Sequence, residues 1–202
     1  YAQAGSLYLN DIGMYMMNSN QFEFTALISF ILLFAGFGYK ISSAPFHYWV
    51  PDVYQGAPAP VTAFFAVAPK LAGFALLIRF LYTTMAQLNL STLAIESIYV
   101  DWNLILAVLS AFTMTIGNIL AIRQEDVKRV LAYSSISHAG FIMMGFAVIS
   151  FEAVSHMLFY MVIYSFMTLG AFGVLIALQN KYSIKSIEEW NGIGYVHPMI
   201  CA

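Results

Sequence analysis

Residues 24–61 read FTALISFILLFAGFGYKISSAPFHYWVPDVYQGAPAPV, an apolar segment that contains Lys40 and is then interrupted by Pro45. A membrane-spanning helix needs about 20 predominantly apolar residues, and residues 24–44 meet that length. Proline removes a helical hydrogen bond and clashes with the preceding turn. Irregular backbone at membrane depth is tolerated where it is buried in protein or lines a water-filled cavity. We therefore interpret Pro45 as the site of a broken membrane helix rather than as an ordinary loop cap.

The composition of the whole chain supports a membrane setting. The 202 residues are 61% hydrophobic and 9% charged, with a mean hydropathy of +0.77, whereas a soluble domain is about 25% charged. The net charge of −2 leaves no basic surplus for phosphate neutralisation, so a nucleic-acid partner is not expected. A single cysteine, Cys201, excludes an internal disulfide framework and a multi-cysteine metal or iron–sulfur site. The expected partner of this surface is the lipid bilayer.

The sequence predicts an all-α fold, a polytopic transmembrane helix bundle that forms a single domain over residues 1–202. The predicted spans are 24–44, 61–83, 103–122, 130–149 and 154–178. Residues 1–23 are of mixed polarity and predict a loop. Because the chain begins at Tyr1 rather than Met and ends in an apolar stretch, with a sixth span starting near Pro198, we expect a fragment of a longer protein.

The loops between the spans predict an orientation. Basic residues concentrate in the loops at 123–129 and 179–192, whereas the loop at 84–102 carries acidic residues and no Lys or Arg. Basic loops favour the cytoplasmic or matrix side. Alternation then places loop 45–60 on the inner side and residues 1–23 on the outer side. Within loop 45–60, Asp52 is expected to cap a helix or hold the loop, with Arg79 or Lys128 as its partner.

Two lysines and a histidine fall inside the predicted spans. Lys70 lies nine residues after Val61, roughly 13 Å deep in a core about 30 Å thick, and His138 reaches a similar depth. A lysine at the centre of a span costs about 2.5–3.5 kcal/mol on insertion scales. A desolvated amine binds its proton less tightly, and a neighbouring negative charge reverses this effect. Lys40 and Lys70 are therefore predicted members of a proton relay; the alternative is a pair of lysines that staple helices through fixed carboxylates.

The residues before His138 are polar. The run from Ser134 through Ser135 to Ser137 places hydroxyls beside the imidazole, where they can order water. We interpret Ser134, Ser135, Ser137 and His138 as a candidate polar path. The alternative for His138 is one hydrogen bond inside the bundle.

Several signatures of chemistry are absent from the sequence. There is no GxGxxG motif, no P-loop, no cysteine cluster and no hydrolytic constellation. We therefore expect no cofactor, no metal and no catalytic residue in this chain.

Three segments carry a family resemblance: FGYKISSAPFHYWVPDVYQGAPAPV (37–61), VAPKLAGFALLIRF (67–80) and GNILAIRQEDVKRVLAYSSISHAGF (117–141). They resemble the N-subunit family of the proton-translocating NADH–quinone oxidoreductase, respiratory complex I, whose mitochondrial counterpart is NADH dehydrogenase subunit 2. The resemblance implies an antiporter-like fold of two inverted five-helix repeats, each with a broken helix. The five spans of this chain would correspond to the family's spans seven to eleven.

The resemblance also implies roles for three residues. Lys40 matches the lysine of the broken seventh span, Lys70 the lysine of the eighth, and His138 the polar position of the tenth. In the family these residues belong to a hydrated axis that passes protons between half-channels. The family's glutamate on the fifth span and its charged residue on the twelfth have no counterpart in this chain. Pro69 stands where many relatives have Ser.

The implied function is proton translocation coupled to electron transfer from NADH to quinone. The chain would be part of that enzyme, with the NADH, FMN, iron–sulfur and quinone sites in other subunits and other membrane-arm subunits as partners. The location implied is a bacterial cytoplasmic (inner) membrane or, alternatively, the mitochondrial inner membrane. Two other functions stay open: a subunit of an Mrp-type cation/proton antiporter, and a structural spacer of the membrane arm.

Overall fold

The computed structural model describes residues 4–18, 24–84, 93–95, 98–100, 102–148, 150–182 and 186–196. Cys201 and the sixth span predicted to begin near Pro198 lie outside these residues, as does Ile149 at the end of the fourth predicted span.

The chain is a bundle of helices, as its composition predicts. In chain order the elements are α1 (Leu9–Asn18), α2 (Phe24–Ile41), α3 (Trp49–Gly56), α4 (Ala59–Thr84), β1 (Leu93–Ile95), β2 (Ile98–Val100), α5 (Trp102–Ile122), α6 (Val127–Met143), α7 (Phe151–Tyr182) and α8 (Ile193–Val196). Short 3-10 helices follow α6 at Met144–Ala147 and precede α8 at Ile187–Trp190.

Four of the described helices are long and apolar enough to cross a membrane: Ala59–Thr84, Asn103–Ile122, Val127–Ala147 and Phe151–Tyr182. The span predicted at 24–44 is observed as α2, which covers Phe24–Ile41. It ends three residues early because Ser42 has a φ of +66°, the left-handed conformation that terminates helices. The span predicted at 61–83 starts earlier, at Ala59, because proline is tolerated in the first turn of a helix.

Two regions predicted as loops contain short elements. Residues 1–23 include α1, which packs against the end of α4; a Cβ added at Gly13 would lie 3.2 Å from the carbonyl oxygen of Thr84. The 84–102 loop includes the antiparallel pair β1–β2, a small exception to the all-α prediction. The contact between α1 and Thr84 places α1 beside the end of α4, the side of the bundle to which alternation assigns both predicted loops.

The break between α2 and α3 spans residues 42–48 and is held by local contacts. The amide of Ser43 donates to the carbonyl of Gly38 over 2.8 Å, and the Ala44–Pro45 peptide is cis. The indole Nε1 of Trp49 donates to the carbonyl of Tyr39 over 3.2 Å, and the two rings stack 5.2 Å apart. Trp49 thus bridges the two sides of the break.

The closest helix packing in the described structure is between α5 and α6. A Cβ at Gly117 would lie 2.6 Å from the amide nitrogen of Ser137, and a Cβ at Gly140 would lie 2.8 Å from the amide nitrogen of Met114. Glycine at these two positions allows the backbones of α5 and α6 to approach each other. The hydroxyl of Ser110 adds a hydrogen bond of 2.8 Å to the carbonyl of Gly140.

The predicted inner-side loops meet at the other end of the bundle. Arg129 forms an ion pair of 2.8 Å with Asp52, which joins loop 123–129 to the segment after the break. Asp126 pairs with Ser186 in an isolated β-bridge, which joins the same loop to the segment after α7. The expected partners of Asp52 were wrong: neither Arg79 nor Lys128 but Arg129 pairs with it.

Candidate functional site

Lys70 lies in the middle of α4 with 3% of its surface exposed. Its ammonium nitrogen Nζ donates to the Oγ of Ser135 over 2.7 Å and to the carbonyl oxygen of Ser135 over 3.1 Å. It also lies 6.0 Å from the ring centroid of Tyr54, at the outer limit of a cation–π contact. The buried lysine is thus held by α6 on one side and by α3 on another.

The local sequence of α4 and α7 shapes the surroundings of Lys70. Pro69 lies inside α4 and has no amide to donate to the carbonyl of Phe65. The hydroxyl of Tyr164 donates to the carbonyl of Ala66 over 3.1 Å. Helix α7 is therefore tied to α4 by a phenol one turn before the lysine.

His138 lies on the same face of α6 as Ser135, three residues further along the helix. Its Nδ1 is 2.7 Å from the hydroxyl oxygen of Tyr160, and its ring centroid is 5.5 Å from that of Tyr164. The two tyrosines are four residues apart on α7 and face the imidazole together. His138 and Lys70 therefore border the same group of polar side chains.

The three serines predicted as a polar path face different neighbours. Ser135 binds Lys70, and its hydroxyl donates to the carbonyl of Ala132 over 2.7 Å. The hydroxyl of Ser137 instead donates to Asn118 on α5 over 3.0 Å. Ser134 is half-buried and lies one residue before Ser135, turned by about 100° on the helix. Of the three hydroxyls, the one that contacts the lysine is that of Ser135.

Lys40 is exposed within the described structure, so its expected burial is not found in this chain. It lies in the last turn of α2, directly before the break, where none of the described elements covers its charged end. Its stem runs along α4: a Cβ added at Gly73 would lie 3.1 Å from Lys40 Cγ. Gly73 follows Lys70 by three residues, so both lysines adjoin one face of α4.

Two spaces adjoin the site. A narrow cavity, too tight to hold a water molecule, is lined by Lys70, Ser135 and Tyr164 together with apolar side chains. An open groove of about 490 Å³ between the end of α6 and the start of α7 is lined by Tyr160, His156 and Glu152, among others. Tyr160, the partner of His138, thus connects the buried cluster to a groove that carries titratable groups.

None of the three tyrosines at the site was predicted from the sequence: Tyr54, Tyr160 and Tyr164. The spacing of Tyr160 and Tyr164, four residues apart in an apolar helix, is a signal for two phenols on one face. Tyr54 offered no such signal, because the segment around it predicted a turn rather than the helix α3. Among the described residues no group of three or more His, Cys, Asp or Glu could hold a metal ion.

Comparisons with known proteins agree on the family. The family model for the transmembrane part of NADH:quinone oxidoreductase/Mrp antiporter proteins matches residues 1–202. The NADH-quinone oxidoreductase subunit N of Chlorobium chlorochromatii is 42% identical over 177 residues, which cover 88% of this chain and 34% of the relative. The chain therefore spans about a third of the length of the curated relative it matches, and the predicted resemblance to the N subunit is confirmed.

Solved structures support the same fold. Respiratory complex I from Thermus thermophilus with bound aureothin contains a chain that matches with a TM-score of 0.70 and 30% identity, over 99% of this chain and 39% of that one. The Mrp complex from Dietzia sp. DQ12-45-1b matches with a TM-score of 0.81 and 16% identity, over 98% of this chain and 35% of that one, which shows a shared fold alone. The family model and the curated relative match the chain by sequence, and both structures match its fold over nearly its whole length. On these grounds the chain belongs to the NADH:quinone oxidoreductase/Mrp antiporter transmembrane family.

Proposed function

We propose that this chain is part of a membrane subunit that translocates protons in an NADH–quinone oxidoreductase of a bacterial inner membrane, with Lys70 as a relay residue. The observation that carries the proposal is the environment of Lys70. The ammonium is buried in a membrane-spanning helix and is bound by a hydroxyl and a backbone carbonyl.

The partners of Lys70 favour a relay over a fixed staple. A staple requires a carboxylate that keeps the lysine charged, whereas the contacts of Lys70 in the described part of the chain are Ser135 and the Tyr54 ring. A serine hydroxyl donates and accepts at the same time, and the hydroxyl of Ser135 does both, toward Ala132 and from Lys70. Lys70 can therefore lose its proton without leaving an unpaired carboxylate beside it.

The polar side chains continue beyond Lys70. Tyr164 borders the same cavity as Lys70 and Ser135, and its ring lies against His138. An imidazole can take a proton at one nitrogen and release it from the other, and His138 is hydrogen-bonded to Tyr160. In our proposal protons move between Lys70 and the groove at Tyr160 through Ser135, Tyr164 and His138, with water completing the path.

Lys40 is the second lysine of the proposed relay. Its stem contacts the position of Gly73, and its charged end is exposed at the break between α2 and α3. Helix breaks at membrane depth are where transporters place ion sites. We assign Lys40 to proton exchange with Lys70 along the face of α4 that both residues adjoin.

The proposed partner subunits are inferred from the relatives of the chain. The curated relative is named as subunit N of NADH-quinone oxidoreductase, which favours other membrane subunits of that complex as partners. In this proposal the NADH, FMN, iron–sulfur and quinone sites belong to other subunits, whose electron transfer changes the electrostatic field at the lysines. The match to the Mrp complex rests on the fold alone, so the antiporter is the second candidate.

The test is proton pumping by the protein in its native membrane with Lys70→Met. We expect NADH-driven proton uptake in inverted vesicles to fall by about a hundredfold, the lower end of the range for a lost proton-transfer group. Electron transfer from NADH to a hydrophilic acceptor should be retained, which reports an assembled complex. Arg79→Met is the matched control, since Arg79 is an exposed cation on the same helix.

Two results would overturn this proposal. Normal pumping by an assembled Lys70→Met complex would reject Lys70 as a relay residue. The remaining function would then be a structural spacer of the membrane arm. Purification of the protein with antiporter subunits, and without flavin and iron–sulfur proteins, would leave the antiporter.

A further inference from the structure

The loop between α5 and α6 and the first turn of α6 contact the short helix α3 through several polar side chains. Arg129 Nη1 donates to Asp52 Oδ1 over 2.8 Å and to Gln55 Oε1 over 3.0 Å, while its Nε donates to Gln124 Oε1 over 2.9 Å. The amide of Gln55 donates to Asp126 Oδ2 over 3.3 Å. One guanidinium thus ties two side chains of α3 to its own loop.

Lys128 holds the end of the same helix. Its Nζ donates to the carbonyl of Ala57 over 2.8 Å and to that of Gln55 over 3.1 Å. The last carbonyls of a helix lack partners within the helix, and a cation there is favoured by the helix dipole. Lys128 therefore satisfies the carboxyl end of α3 from outside.

The loop itself is fixed to α6. Asp126 is the N-cap of α6, and its Oδ1 accepts from the amides of Lys128 and Arg129 over 2.8 and 3.2 Å. The two cations that hold α3 are thus the second and third residues of α6. We call Asp126, Lys128 and Arg129 the α6 clamp.

The clamp joins the two elements that contact Lys70 from outside α4. Helix α3 carries Tyr54, whose ring faces the ammonium, and α6 carries Ser135, which binds it. Val50 and Tyr54 are fully buried in a cluster that also contains Ile136 of α6. A shift of α3 relative to α6 would therefore move the Tyr54 ring against Lys70.

Helix α3 makes few contacts with α2 in the described structure and more with α6. The break at 42–48 separates the two helices, and the described contacts across it are short-range ones such as the Trp49–Tyr39 pair. Asp52 is 76% exposed, and an exposed ion pair contributes little to stability by itself. Arg129 instead contacts three side chains at once, Asp52, Gln55 and Gln124, which suits it to fixing geometry.

We propose that Arg129 and Lys128 are positioning residues, which hold α3 against α6 so that Tyr54 stays beside the ammonium of Lys70. The effect on proton transfer rests on the function proposed above, whereas the effect on α3 does not. In this arrangement the break and the buried lysine are coupled through α3. Neither cation contacts Lys70, so both act through Tyr54.

The first measurement is amide hydrogen exchange of residues 49–56 in the assembled protein. We expect Arg129→Gln to speed exchange in α3 by about tenfold or more, because local opening follows lost contacts. Arg123→Gln, an exposed cation of the same loop, should leave exchange in α3 unchanged. Unchanged exchange in Arg129→Gln would overturn the clamp, whatever Lys70 does.

The second measurement is a double-mutant cycle on NADH-driven proton pumping. Arg129→Gln should lower pumping in the native background and have no further effect in a Tyr54→Leu background, since the ring through which it acts is gone. The exchange Asp52→Arg with Arg129→Asp should restore part of the pumping lost in each single variant. Additive losses and no rescue would overturn the positioning role.

The two failures are distinguishable. Faster exchange in α3 of Arg129→Gln together with normal pumping by Lys70→Met would support the α6 clamp and reject the proton relay. Should Arg129→Gln not assemble, Asp52→Asn removes the same ion pair from the α3 side and is subject to the same two measurements.

Discussion

Lys70 and Ser135 form a paired contact in which one residue of α6 supplies two acceptors, a hydroxyl at 2.7 Å and a carbonyl at 3.1 Å, to one buried ammonium. The hydroxyl is itself held, because it donates to Ala132 one turn earlier. The orientation of the lysine is therefore set by α6, and in the proposed relay the Ser135 hydroxyl is the first group to accept its proton.

Ser135→Ala should lower NADH-driven proton pumping by about tenfold, because the first hydroxyl of the proposed path is removed. It should also destabilise the protein by about 1.5–3 kcal/mol, the range for a lost hydrogen bond to a charged group. Ser135→Thr keeps a hydroxyl and should retain most of the pumping. The measurements are proton uptake in inverted vesicles and thermal unfolding of the purified complex.

Ser134→Ala is the matched control, since its hydroxyl lies on a different face of α6. Equal losses in the Ser134 and Ser135 variants would contradict a path that runs specifically through Ser135.

The positions of the helices could be predicted from the sequence because apolar runs of about 20 residues are long and uninterrupted. The end of α2 at Ile41 was missed by three residues because the positive φ falls on Ser42. Serine rarely adopts a positive φ, so its presence does not predict the end of a helix. The α1 helix was missed because the mixed polarity of residues 1–23 predicted a loop. In the structure α1 packs on the end of α4. Local pattern predicts a span well and its last turn poorly.

The members of the site were only partly predictable. Lys70 and His138 stood out because charged and polar groups are rare at that depth. That Ser135 rather than Ser137 binds the lysine could not be predicted, because it depends on the rotation of α6 against α4 and α5. Lys40, expected to be buried, is exposed in the described structure because no described element covers the end of α2.

Tyr160→Phe should lower proton pumping by about tenfold, because the hydroxyl that meets His138 Nδ1 at 2.7 Å is lost. The ring and its packing remain, so assembly should be unchanged. The measurement is the ratio of proton uptake to NADH oxidation in vesicles.

Tyr82→Phe provides the comparison for Tyr160→Phe. The Tyr82 hydroxyl donates to the carbonyl of Ser150 over 2.7 Å, so this variant loses a hydrogen bond of the same length at a distance from the lysine. A normal ratio in Tyr160→Phe, or the same reduced ratio in both variants, would remove Tyr160 from the path.

Gly117→Ala should destabilise the packing of α5 on α6. Its Cβ would lie 2.6 Å from the amide nitrogen of Ser137 and 2.9 Å from its Cα, and backbone cannot yield as a flexible side chain does. We expect a loss of about 1–3 kcal/mol, typical of overpacking, measured as a lower midpoint of thermal unfolding. Gly170→Ala, with nothing within 4 Å of its added Cβ, should be neutral or stabilising by up to about 1 kcal/mol.

Gly73→Ala tests the contact between α4 and the end of α2. The added Cβ would lie 2.9 Å from Ile41 Cγ2 and 3.1 Å from Lys40 Cγ, so the last turn of α2 must move away from α4. We expect lower proton pumping, because the exposed end of Lys40 shifts relative to Lys70, and a loss of stability of about 1–3 kcal/mol. Ile41→Ala in the same chain removes the closest atom and should recover part of both losses. The control is Gly36→Ala on α2, whose added Cβ meets nothing within 4 Å; pumping in Gly73→Ala that matches this control would show that the approach of Lys40 to α4 is irrelevant to proton transfer.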